Sequence, residues 1–128
     1  MQRDAIDRPL AVLAAIFGAI GVALGAFGAH ALQGHLDAAS LQVWHTAVEY
    51  QFWHALALLF VATRAGALLF SRATGALFGV GIVLFCGSLY ALACGAPHVV
   101  GLITPLGGIA FIGAWALLAF SLLRDAGR

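Results

Sequence analysis

The stretch HTAVEYQFWHALALL, His45 to Leu59, sets a glutamate, a tyrosine, a glutamine and two histidines among apolar residues. Those residue types at that spacing suit several chemistries. His45 and Glu49, one helical turn apart, can point two ligands at one metal ion, and His30 or His98 could complete the set. His30 and His54 on separate helices could clasp a haem iron. Tyr50, Gln51 and His54 could hold the headgroup of a lipid or quinone. A glutamate beside histidine inside a membrane has the make-up of a relay for protons or solutes. The plainest reading is structural: Glu49 accepts hydrogen bonds from Tyr90, His30 or an amide at the start of the last helix, and the network holds the helices in register.

Which of these is possible depends on where the chain puts the cluster. The sequence has 128 residues, the size of one domain, and is 63% hydrophobic and 9% charged. With a mean hydropathy of +1.04, it has too few charges to cover a soluble surface. Continuous apolar runs without alternation read as helices rather than barrel strands, and about 20 such residues cross the hydrocarbon. The chain offers four, at about 10–32, 45–63, 73–94 and 105–123. The expected fold is therefore all-α: one polytopic membrane domain, a four-helix bundle with short connections and no soluble unit. Arg3 and Arg8 before the first run, with the AHA at Ala29–Ala31, mimic a secretory signal. The apolar run is longer than a signal core of about 7–15 residues, so it reads as a span.

All six cations are Arg. Arg3, Arg8, Arg64, Arg72, Arg124 and Arg128 fall at the two termini and the second connection, and none in the first or third. Positive residues stay on the cytoplasmic side, so both termini are expected there. The near-neutral charge and membrane setting exclude a nucleic-acid binder. No phosphate loop, zinc signature or nucleophile elbow occurs, so no enzymatic activity is expected. Cys86 and Cys94, eight residues apart on one span, would lie roughly 12 Å apart in a regular helix, too far for a bridge. They read as small packing residues.

Gly18, Gly21, Gly25 and Gly28 form one stripe down the first span. Small residues let helix backbones approach in lipid, so the stripe is expected to be a packing seam against another span or a partner. Gly34 follows the span and suits a left-handed turn. Ser40 is a plausible cap for the second helix, and Trp44 is expected in the outer aromatic belt. In ITPLGG, Thr104 reads as the cap and Pro105 as the first residue of the fourth helix.

Counting outward from Arg64 at about 1.5 Å per residue, His54 lies roughly 15 Å up, near the midplane, and Glu49 about 7 Å further. At about 100° per residue His45, Glu49 and Trp53 share one face, with Tyr50, His54 and Gln51 beside it. Val48, Phe52, Leu56 and Leu59 are left to face lipid. Ionisable groups at such depth usually turn toward protein or water, so Glu49 is expected to be sheltered. All five histidines, with Ser88, Tyr90 and Thr104, fall in the outer half. One polar chamber beneath the outer surface is the expectation.

The motifs GAFGAHAL, TAVEYQFWHALALL, LFCGSLYAL and ITPLGG, in that order, resemble a bacterial membrane family catalogued as domain of unknown function 423. The vertebrate transmembrane protein 256 is a related member. The likeness covers nearly the whole chain and implies four spans, a bacterial inner-membrane location and no settled activity. Its motifs fall on His30, Glu49, Tyr50, Gln51, His54, Ser88, Tyr90, Thr104, Pro105, Gly107 and Gly108. Cys86 stands where the pattern suggests Ser, and Ala114 where it suggests Gly. The expected role is a scaffold, assembly factor or accessory subunit with a membrane-protein partner or a second copy. Ligand binding (lipid, quinone or metal) and proton or solute movement are the alternatives.

Overall fold

A computed structural model of the chain describes residues 5–125. Arg3 and Arg128, two of the six arginines that set the expected orientation, lie outside them. The described residues form helices without a strand: α1 (Arg8–His30), α2 (Ala38–Thr63), α3 (Ser71–Ala93) and α4 (Ile103–Asp125). Three stretches, Arg8–His30, Ser71–Ala93 and His98–Asp125, are long and apolar enough to cross a membrane. At 26 residues α2 is long enough too, but its polar residues keep it out of that set.

Local chemistry explains the helix starts. Asp7 caps α1 by accepting from the Leu10 amide at 3.2 Å, and Pro9 sits in the first turn, where its missing N–H is no loss. For α2 the cap is Asp37, not Ser40: its Oδ1 accepts from the Ser40 amide at 2.7 Å. The helix consequently begins at Ala38, seven residues before the expected span. Gly34 takes a left-handed conformation (φ 83°) in the turn between α1 and α2. Gly95 does so after α3 (φ 93°), with Ala96 N–H bonded to Ala91 O and Gly95 N–H to Leu92 O. That pair of bonds closes a helix end around a left-handed residue. A 3-10 segment, His98–Leu102, then runs straight into α4 at Ile103. Thr104 is already inside the helix, so its hydroxyl is not the expected cap.

The helices pack in sequence, α1 on α2, α2 on α3 and α3 on α4, with little direct contact between α1 and α3. The glycine stripe faces α2. A Cβ on Gly21 would meet the Phe52 ring at 3.2 Å, on Gly25 the Val48 side chain at 3.3 Å, and on Gly28 the Trp44 ring at 2.6 Å. Gly18 has open space beside it and does not join the seam. Val48 and Phe52, expected toward lipid, are thus packed on α1, whereas Leu56 and Leu59 are exposed.

Helix α3 is not uniform. Over Ile82–Cys86 it widens into a π turn between the α-helical pieces Ser71–Gly81 and Gly87–Ala93. There α4 comes closest: a Cβ on Gly107 would fall 2.7 Å from the Phe85 Cα and against the Phe85 amide nitrogen. At the other end, residues before α1 are tied to the end of α2, the connection after it and the start of α3. Asp7 N–H donates to Ala62 O at 2.9 Å, Gly66 N–H to Ala5 O at 3.1 Å, and Arg72 Nε to Asp7 Oδ2 at 3.2 Å.

Two outcomes follow. Gly107→Ala should destabilise the bundle by about 1–3 kcal/mol through overpacking against backbone. Gly108→Ala, whose nearest neighbour is Phe85 Cδ2 at 4.0 Å, should be nearly neutral; thermal unfolding of both in mild detergent compares them. The Asp37 carboxyl is held below its ordinary 3.8 by the Ser40 backbone amide and then the Ser40 hydroxyl. The cap therefore contributes fully above that ordinary value and is lost as pH falls through the lowered native one. Hydrogen exchange at Ser40 and Leu41 should speed up over that acid range, and not in Asp37→Asn.

Candidate functional site

One buried polar side chain, Gln51, lies where α1, α2 and α3 meet. Gln51 is 3% exposed. Its Nε2 donates to the Phe17 carbonyl on α1 at 2.8 Å, and its Oε1 accepts from the Tyr90 hydroxyl on α3 at 2.7 Å. Trp44, two turns nearer the start of α2, donates its indole N–H to the Leu24 carbonyl at 2.9 Å. Its ring meets Tyr90 edge-on with centroids 4.7 Å apart. Both α1 carbonyls lie inside a helix and spend their second lone pair on the neighbouring helix. Trp44 is therefore an internal strut, not the expected belt residue, because a buried indole N–H needs an acceptor.

His54 occupies a separate chamber lined by aromatics from α3 and α4. Its ring stacks on Phe111 with centroids 3.6 Å apart and 12° between planes. Tyr50, Phe78 and Trp115 lie around it. Nδ1 is 2.7 Å from the Tyr50 carbonyl, which can only accept, so Nδ1 carries the proton. Nε2 then accepts the Trp115 indole N–H at 3.2 Å. With both nitrogens engaged, this neutral imidazole has no lone pair free for a metal ion or a haem iron. Tyr50 supplies its ring, 4.5 Å from Phe85, and its carbonyl.

A third group joins α3 to α4 just beyond the π turn. Ser88 Oγ donates to the Phe85 carbonyl at 3.0 Å and lies 2.6 Å from Thr104 Oγ1, which is then the donor between them. Gly107 and Gly108 follow one turn later against Phe85. Cys86 and Ala114, the two departures from the motif pattern, are both buried in the core. Cys94 is exposed, and both thiols are free.

The remaining expected residues are not drawn in. Glu49 is exposed and accepts no hydrogen bond among the described residues, which corrects the expectation that it is sheltered inside a polar chamber. His30 and His98 are exposed and His45 is half-buried. No three His, Cys, Asp or Glu side chains among the described residues come together as a metal-holding group. The physical reason lies in α2. Ala47, Ala55, Ala57 and Ala62 sit on the face that also carries Gln51, His54, Leu58 and Val61. Small residues allow close approach in lipid, so they turn that face inward and Glu49 and Trp53 outward. The sequence reading missed Trp115, Phe111 and the α1 carbonyls as partners. An indole beside the last helix's small residues was the available signal for the first, whereas a backbone acceptor has none.

Between α1 and α3 a cleft of about 220 Å³ is lined by Phe17, Ile20, Leu24, Gln51, Cys86 and Tyr90. The Gln51–Tyr90 pair lies along its wall.

Comparison with known proteins shows the family. The model of a family described as protein of unknown function (DUF423) matches residues 24–108. The membrane protein YwdK of Bacillus subtilis is 43% identical over 116 residues, covering 88% of this chain and 94% of that protein. A Haemophilus influenzae membrane protein is 45% identical over 114 residues, with 88% and 92% covered. The inner membrane protein YgdD of Escherichia coli is 39% identical over 120 residues, with 92% of each chain covered. No solved structure matches the chain. With most of its length aligned to these relatives and its central 85 residues to the family model (108 − 24 + 1), the chain is a membrane protein of the DUF423 family.

Proposed function

We propose that the protein is a four-span bacterial inner-membrane protein with both termini in the cytoplasm, serving as a scaffold, assembly factor or accessory subunit. The observation that carries this reading is where the polar side chains go. Gln51, Tyr90, His54, Trp44, Trp115, Ser88 and Thr104 spend their hydrogen bonds on one another or on backbone carbonyls of their own or a neighbouring helix. A satisfied buried network makes one packing unique, and it presents no free nucleophile or general base to a substrate. What such a bundle offers is a rigid outer surface. The placement of Arg8, Arg64, Arg72 and Arg124 at one end supports the orientation, and the 26-residue length of α2 supports a fourth crossing.

A second reading, binding of a lipid or quinone headgroup, is favoured by the cleft between α1 and α3 with Gln51 and Tyr90 along it. Mild-detergent purification from native membranes, with mass spectrometry and elemental analysis, separates the two. A stoichiometric membrane protein, whether another protein or a second copy, is expected. Stoichiometric lipid, quinone or metal on a lone chain would overturn the accessory role.

The network itself has a separate outcome. Tyr90→Phe and Gln51→Leu should each destabilise the bundle, and the pair should couple by about 0.6 kcal/mol, the average for hydrogen bonds between helices in lipid. A double-mutant cycle in unfolding measures this; additive effects would mean that the bond holds nothing. The orientation is checked by reporters fused at either terminus, both expected to read as cytoplasmic.

A further inference from the structure

Helix α2 carries two opposite faces. The buried one has been described. The exposed one includes Gln42, Glu49, Trp53, Leu56, Phe60 and Thr63, with His45 half-buried along its edge. Gln42, Glu49, Leu56 and Thr63 recur every seven residues, with Trp53 and Phe60 between them. A seven-residue repeat keeps a seam in line only when two helices wind around each other with a left-handed supercoil. Among the described residues nothing covers that seam.

Its outer half is polar and cannot be left to acyl chains. Glu49 lies eleven positions past the start of α2 at Ala38, roughly 16 Å along the axis. A carboxylate at such depth normally finds a partner or water. Among the described residues the one ion pair is Arg72–Asp7, at the opposite end of the bundle. The base on the same seam is His45, one turn outward and free of any hydrogen bond among the described residues. The seam thus carries an acid and a base four residues apart, and neither is used among the described residues.

We propose that α2 packs against α2 of a second copy of this chain, in parallel about a two-fold axis, with His45 of each copy paired to Glu49 of the other. Such an axis makes every contact twice, and the two groups differ in height by about 6 Å, within reach of both side chains. The complementarity is what selects a second copy: the face supplies its own counter-group, whereas any other partner would have to bring a base from elsewhere. A polar pair at one seam position also sets register and pairing number in helix dimers. Trp53, Leu56 and Phe60 supply the apolar half of the contact. The proposal rests on α2 crossing the membrane and names the partner of the accessory role.

The test uses the full chain in its own membranes, with Cys94→Ala removing the exposed thiol. Gln42→Cys and Leu56→Cys should each form a covalent dimer on oxidation. Val22→Cys on α1 and Ile112→Cys on α4, both exposed, should remain monomeric. His45→Glu should cut the Leu56→Cys dimer several-fold, and the double swap His45→Glu with Glu49→His should restore it, thermal unfolding showing that each variant is folded. A monomer at both seam positions, dimers at Val22 or Ile112 instead, or a folded double swap that does not recover would overturn the proposal. A seam cross-linked to a different protein would overturn the dimer and leave the accessory role standing. Lipid, quinone or metal on the purified chain would instead count against that role and leave the dimer to the cross-links.

Discussion

The amide of Gln51 holds three helices in one register: its nitrogen reaches the Phe17 carbonyl on α1 while its oxygen receives the Tyr90 hydroxyl from α3. In hydrocarbon no water is at hand to replace either bond. Sliding or rotating any of the three helices would strand a polar group, so the bond selects one arrangement even where its net strength is modest. The glycine seam makes that bond possible. Gly21, Gly25 and Gly28 bring α1 close enough to α2 for Trp44 and Gln51 to reach main-chain carbonyls at 2.9 and 2.8 Å. Close packing and hydrogen bonding therefore reinforce each other.

The same pairing recurs on the far side of the bundle. Gly107 lets α4 lie against the backbone of α3 where the π turn widens it, and Ser88 with Thr104 bridges the two helices beside that contact. His54 then fills the space between α2, α3 and α4 as a flat aromatic body. It stacks on Phe111 and bonds at both edges, so an ionisable residue type serves as a neutral packing piece. The clasp of Asp7 with Leu10, Ala62 and Arg72 at the start of α1 is of another kind: Arg72 is largely exposed, so screening leaves the ion pair a minor contribution beside the two backbone bonds.

Polarity in this protein is accordingly divided between two purposes. Most polar side chains of α2 and α3 are consumed in holding the fold. Glu49 and His45 are not, and they lie on the surface with Trp53 and Leu56 below them. Its relatives in several bacteria are likewise membrane proteins. The internal network gives that surface a fixed shape, and the outward stripe of α2 gives it chemistry.

Much of the architecture was legible in the sequence because it depends on local properties. Hydrophobic run length set the helices to within a few residues, except at the start of α2, where the choice of Asp37 over Ser40 as cap added a further stretch. The glycine spacing marked a seam, and Gln51, Tyr90, Ser88 and Thr104 were singled out as network members. The rotation of α2 was not legible. Polarity alone placed Glu49, Gln51 and His54 on one inward arc. In the folded bundle the alanines of α2 decide which face meets its neighbours, and Glu49 falls outside. Main-chain carbonyls as acceptors, and the π turn that receives Gly107, have no residue-type signature either. A chain's own pattern of apolar, small and capping residues determines where its helices begin, end and lie close; which polar group meets which partner is decided only when whole helices settle against each other, since that depends on angles and distances no single helix possesses.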